Sequence, residues 1–134
     1  MKRGDVVFWA KYPFPDEKSE HKLAPSDKLL VLIGQDKTNC WLMFRTTKQP
    51  REDRPDPDGC HAEFSVFRFK DNRSKFDVPC WVQYEMPIFK EEREITNAGA
   101  RVVFSLTREE IAAIVNCYKK SPERTNWIWE YYCA

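Results

Sequence analysis

The chain alternates short apolar runs with polar, proline-rich stretches, and the period of each run sets the element it predicts. Val6 to Ala10 reads as a first strand, followed by a polar loop, Lys11 to Lys28, that carries Pro13, Pro15 and Pro25. Leu29-Leu30-Val31-Leu32-Ile33 is apolar without interruption and stops at Gly34, the pattern of a strand covered on both faces. A polar turn, Gln35 to Asn39, leads into a strand from Cys40 to Arg45, so Asp27 to Thr47 predicts a hairpin. Glu63 to Phe69 alternates Phe64, Val66 and Arg68 with Ser65, Phe67 and Phe69, which predicts another strand. Cys80 to Tyr84 and Ile88-Phe89 are further strand pieces, separated by a Pro87 that belongs at an edge or a bulge.

One helix is signalled by both its start and its stripe. In Thr107-Arg108-Glu109-Glu110 the threonine hydroxyl and the Glu110 carboxylate can each satisfy an end amide, a capping box. Ile111, Ile114, Val115 and Tyr118 then fall at i, i+3, i+4 and i+7 on one face, and Ser121-Pro122 predicts the stop. Residues 122–134 form an aromatic C-terminal extension containing Trp127-Ile128-Trp129-Glu130-Tyr131-Tyr132. Core packing or self-association explains such a segment, with a base-stacking platform as the alternative. The proline- and charge-rich stretch Pro50 to Gly59 predicts a mobile surface loop over residues 50–60. Together these elements predict a single, mainly β domain over residues 1–134, a small curved sheet or barrel capped by the helix.

Composition narrows the function classes. With 22 Lys+Arg against 21 Asp+Glu the net charge is +1, which excludes a globally basic nucleic-acid binder and leaves room for a local basic groove. Four glycines leave neither a phosphate-binding P-loop nor a dinucleotide fingerprint. No apolar run approaches the roughly 20 residues of a membrane helix, and Val6 to Trp9 is too short for a signal peptide. A cytoplasmic protein with no membrane association and no cofactor is expected. The five cysteines are odd in number and lack a C-x-x-C pair, so they read as buried thiols in a reducing compartment. A zinc site using Cys60, His61 and two distant cysteines is the alternative, although its usual paired spacing is missing and no metal is expected.

Several blocks resemble the MazF/PemK type II toxin family. Arg3-Gly4-Asp5-Val6-Val7-Phe8-Trp9 is similar to the family's first strand. Lys28 to Ile33 resembles its second strand, Arg45-Thr46-Thr47-Lys48 the end of its third, and Ser105-Leu106-Thr107-Arg108-Glu109-Glu110-Ile111 the start of its helix. These blocks occur in the family's order across most of residues 2–120. The resemblance implies a small SH3-like β-barrel with a C-terminal α-helix, usually a homodimer. It also implies a toxin-like endoribonuclease that cleaves single-stranded RNA without a metal. In that chemistry the ribose 2′-hydroxyl attacks the adjacent phosphorus and leaves a 2′,3′-cyclic phosphate and a 5′-hydroxyl. Such a reaction needs a base, an acid and donors around the phosphorane.

Carried over by position, the family's phosphate-contacting arginine corresponds to Lys28, and its Ser/Thr pair to Thr46 and Thr47. The PemK branch's arginine and aspartate correspond to Gln83 and Glu85, of which only Glu85 can serve as a base. His21 falls in the loop where some members place a histidine or glutamate. Read as residues alone, Lys28 is equally a solvated charge, the threonines ordinary β-formers, Glu85 a turn cap before Pro87, and His21 a plain loop residue. Arg45, Lys48, Arg51 and Arg54, with Gln83, suggest an RNA-binding edge, or a rim neutralised by neighbouring carboxylates. The implied partners are single-stranded RNA, a second copy of the chain and a cognate antitoxin. Because both arginines are replaced, a non-catalytic barrel that binds RNA or a protein is the alternative function.

Overall fold

Strand β1 (Asp5–Tyr12) pairs antiparallel with β2 (Ser26–Gln35), and β2 with β3 (Cys40–Thr47), so the predicted hairpin forms the middle of the sheet. The computed structural model describes residues 1–12, 26–69 and 80–134. Beyond β3 come β4 (Gly59–His61), β5 (Val66–Phe69), β6 (Cys80–Glu91) and β7 (Arg101–Ser105). Three short or medium helices complete the described elements: α1 (Glu92–Asn97), α2 (Arg108–Lys120) and α3 (Asn126–Ile128), the last running into a π-helical turn, Trp129–Cys133. Among the described residues the strands form one antiparallel sheet in the order β4-β5-β6-β3-β2-β1-β7. The mainly β class with a helix near the C-terminus is therefore as expected, but the closed barrel is not. The sheet stays open among the described residues, because its end strands β4 and β7 pair with β5 and β1 and not with each other.

Alternation along β2 explains why the sheet has a core on both faces. Val31 and Ile33 point to the face that carries α2, where they pack with Leu42, Phe44, Val82, Tyr84, Ile114 and Tyr118. Leu30 and Leu32 point the other way, to Val7, Trp9, Trp41, Met43, Ile88 and Ile95. The Tyr84 hydroxyl, fully buried, donates to the Ile114 carbonyl at 2.7 Å and ties β6 to α2. Helix α2 starts with the capping box read from its sequence: Glu110 N–H bonds to Thr107 Oγ1 at 3.1 Å and Thr107 N–H to Glu110 Oε1 at 2.8 Å. No described helix is long and apolar enough to cross a membrane.

Two local expectations change. The strand expected over Glu63 to Phe69 begins only at Val66, because Ala62–Phe64 is a 3-10 turn closed by Ser65 at φ 57°. The Ser65 carbonyl then takes the Tyr84 N–H at 2.9 Å and turns the chain into the sheet. The two pieces around Pro87 are one strand, β6, with a bulge: Met86 sits at φ 52°, and the register against β3 jumps between Arg45↔Gln83 and Met43↔Ile88. In the stretch 50–60, Trp81 Nε1 donates to the Pro55 carbonyl at 2.9 Å and Arg54 Nη1 to the Gln49 carbonyl at 2.6 Å. Arg68 reaches the Asp56 carbonyl and pairs with Asp58.

The cysteine expectation is corrected for two residues. Cys60 is exposed on the edge strand β4 and is disulfide-bonded to Cys117 in the buried face of α2, with 5.4 Å between their Cα atoms. The bond staples the last strand of the sheet to the helix, a pairing that only the packing of α2 over β4 and β5 creates. The bond takes Cys60 out of the zinc alternative, and His61 Nε2 lies 2.6 Å from the Pro57 carbonyl. Because the closed loop is long, Cys60→Ser should lower the unfolding free energy by about 2–4 kcal/mol. Urea titrations with and without a dithiol reductant check this: the reductant should shift wild type to the variant's midpoint and leave the variant unmoved.

The aromatic extension packs onto the chain's own sheet. Ile128, Tyr132 and Cys133 are buried in the helix-side core, while Trp127 and Tyr131 are half or more exposed. Tyr132 donates its hydroxyl to Asp36 Oδ2 at 2.9 Å. Burial pushes the Asp36 carboxyl up, but hydrogen bonds from the Thr38 hydroxyl, the Cys40 and Thr38 amides and Tyr132 outweigh it and bring it to about 2.

Candidate nucleic-acid interface

Strand β3 sends successive side chains to opposite faces, and this decides which polar residues meet. Arg45 pairs with Leu30 on β2 and with Gln83 on β6, and Gln83 pairs with Val66 on β5, so these form one row on the face away from α2. The next row on that face holds Thr47, Trp81 and Arg68. Lys28, paired with Trp9 and two residues before Leu30, lies on the same face where β2 begins. The loop 50–58 covers the far part of this face and brings in Arg51, Asp53 and Arg54, which line a narrow crevice with Gln83 and Glu85.

The charges on this face act on one another. Burial lowers the proton affinity of the Lys28 ammonium, and the nearby Arg45 and Arg54 lower it further. Arg45 is likewise disfavoured as a cation by burial, against which Glu85 and Tyr12 act in its favour. Arg45 Nη2 donates to the Glu85 carbonyl at 3.1 Å, so the guanidinium is fixed where β6 bulges. Arg54 is disfavoured first by burial and then by Arg51 and Arg45, with Asp53 and Glu85 in its favour. The result is a half-buried group of like charges, Lys28, Arg45 and Arg54, with the Glu85 carboxylate acting on the two arginines. Below Arg45 opens a cleft of about 200 Å³, lined by Tyr12 and by Met86 to Lys90. Cations held close together at the mouth of a cleft suit an anion with several oxygens, such as a phosphodiester.

The structure thus brings together Lys28, Arg45, Gln83, Glu85 and Arg51. The two threonines separate. Thr47 shares the Arg45 face and accepts from the Gln49 N–H at 3.3 Å, which shapes the start of the covering loop. Thr46 points into the helix-side face and donates to the Leu29 carbonyl at 2.8 Å, so its hydroxyl proton is spent on the β2–β3 pair. Lys48 is exposed, and its charge acts on Cys80 of the helix-side core, away from Arg45. Burial pushes that Cys80 thiol up to about 12, with Lys48 and Arg68 opposing the rise. Arg51 is engaged by Asp53 at 3.1 Å. His21 lies outside the described residues. Sequence reasoning missed Tyr12, which reaches the group because Lys11 at φ 51° and a register shift after Trp9 turn the end of β1. No periodicity or motif signals that turn.

Neither the family models nor the curated proteins include a match to this chain.

Proposed function

We propose that this chain is a MazF/PemK-like endoribonuclease that cleaves single-stranded RNA without a metal, on a curved sheet of the SH3-like kind. One observation carries the reading: Lys28 and Arg45, two half-buried cations from adjacent strands, lie close enough to act on each other, and Arg45 stands beside Glu85 at the edge of a cleft. Glu85 takes the proton of the 2′-hydroxyl, whose oxygen then attacks the phosphorus. Arg45 donates to the phosphorane oxygens with its planar fork. Lys28, whose proton is held less tightly than an ordinary lysine's, protonates the departing 5′-oxygen. The products are a 2′,3′-cyclic phosphate and a free 5′-hydroxyl, and exchange with water restores Glu85 and Lys28. The partners that go with this reading are a second copy of the chain and an antitoxin.

Incubating the protein with a long unstructured RNA in EDTA tests the proposal. Wild type should yield fragments ending in cyclic phosphate. Lys28→Ala should cut more slowly by about 10²–10⁴-fold, the usual worth of a positioned acid, whereas Thr46→Val, altered on the opposite face, should cut as wild type does. Equal cleavage by Lys28→Ala would remove it from the chemistry. Gln83, a neutral amide paired with Arg45 where the PemK resemblance implies an acid, favours a second reading, an RNA binder without turnover. Salt-dependent RNA binding with no cleavage by wild type would establish that one.

A further inference from the structure

A cavity of about 660 Å³ lies away from Arg45, beside the start of α2. Gly4 makes it: its N–H bonds to the Leu32 carbonyl and its carbonyl accepts the Leu106 N–H, both at 2.8 Å, so residues 2 and 3 run beside the start of α2. Between them opens a groove of about 660 Å³ with Leu106, Ile111 and Ala112 as its apolar floor and Lys2, Arg3 and Arg108 on its rim. The three cations are exposed, and none of their side chains is held by a carboxylate or hydrogen bond among the described residues. Two carboxylates of the neighbouring segments, Asp5 and Glu110, are engaged elsewhere. Asp5 accepts from Ser105 Oγ at 2.6 Å and from the Lys2 N–H at 2.9 Å, and Glu110 caps Thr107. In a chain whose total charge is only +1, three cations around an apolar floor with no acidic side chain in the lining are a local imbalance.

We propose that this groove docks an acidic peptide segment of a partner protein, its aliphatic side chains on Leu106, Ile111 and Ala112 and its carboxylates on Lys2, Arg3 and Arg108. Charge complementarity selects the acidic partner. The floor selects peptide over nucleic acid, because no aromatic side chain lines the groove to stack a base. The capping box already engages the Thr107 and Glu110 amides, and the attraction is assigned to the rim side chains.

Fluorescence anisotropy with a short labelled peptide alternating leucine and glutamate tests the proposal, on the whole chain and at two salt concentrations. Binding should weaken with salt and fall about tenfold or more in the Arg3→Glu, Arg108→Glu double variant, where two attractive contacts become repulsive. Ala112→Glu, an exposed floor position, should weaken it similarly without touching the core. Arg93→Glu, a charge reversal on an exposed residue of α1, is the control for net charge and should leave affinity unchanged. No binding of the peptide, an equal loss in Arg93→Glu, or preferential capture of a labelled single-stranded oligonucleotide at this groove would each overturn it. RNA cleavage is read in a separate assay, so the two proposals stand or fall apart.

Discussion

Arg45→Ala is expected to slow RNA cleavage by about 10²–10³-fold, the usual cost of removing one preorganised donor from a developing oxyanion. The side chain is half-buried among Lys28, Tyr12, Arg54 and Glu85, and its burial disfavours the charge it carries. Its removal therefore relieves the fold of a like-charge neighbour, and the variant should stay folded in circular dichroism and urea titration. Two further readouts separate a chemical role from a merely electrostatic one. Lys28 owes part of its lowered proton affinity to Arg45, so without Arg45 that affinity rises. As an acid, Lys28 works only while protonated, so the alkaline limb of the residual pH–rate profile should move to higher pH. The slope of log affinity against log salt for single-stranded RNA should also shrink by about 0.7, one phosphate contact. Arg45→Lys keeps the charge but loses the fork, and should restore the salt slope without restoring the rate. Wild-type rates in Arg45→Ala would remove this residue from the mechanism.

Gly34→Ala is expected to lower the unfolding free energy by about 3 kcal/mol or more, at the upper end of overpacking costs. Gly34 lies in β2, the centre of the sheet, and a methyl group there would overlap the carbonyl group and Cα of Tyr132. The obstacle is backbone, so no side-chain rotation relieves it. Either β2 shifts inside a core packed on both faces, or the π-helical turn lifts off. The second route exposes Ile128 and Tyr132, each worth about 1.5–3 kcal/mol of burial, and breaks the Tyr132–Asp36 hydrogen bond. Urea denaturation gives the size of the effect, and limited proteolysis distinguishes the routes, since a detached turn is cut after Trp127 or Tyr131. A loss below about 0.5 kcal/mol, within the range of an ordinary surface substitution, would mean that the tail does not rest on Gly34.

The sequence by itself determined the elements whose signals are local. The uninterrupted apolar run Leu29 to Ile33 marks a strand with both faces covered, because alternate side chains of a strand necessarily enter opposite cores. Thr107 and Glu110 mark the start of α2, because a cap is written within four residues. Lys28, Arg45, Gln83 and Glu85 were legible as candidates from residue type and from a resemblance that follows chain order. The short elements β4, α1 and β7 were not, since three to six residues carry too little period to separate a strand or a helical turn from a loop.

Only the tertiary structure decided what meets what. Thr46 and Thr47 are neighbours of the same type in the sequence, yet the pleat sends one hydroxyl to Leu29 under the helix and leaves the other on the face of Arg45. Tyr12 joins the cationic group through a turned strand end, Cys60 finds Cys117 through a helix packed over an edge strand, and Gly34 becomes indispensable through a turn nearly a hundred residues later. Each of these depends on the strand order β4-β5-β6-β3-β2-β1-β7, which pairs segments far apart in the chain. Local propensity is set by neighbours in sequence, whereas sites and staples are set by neighbours in space, and in this sheet the two sets rarely coincide.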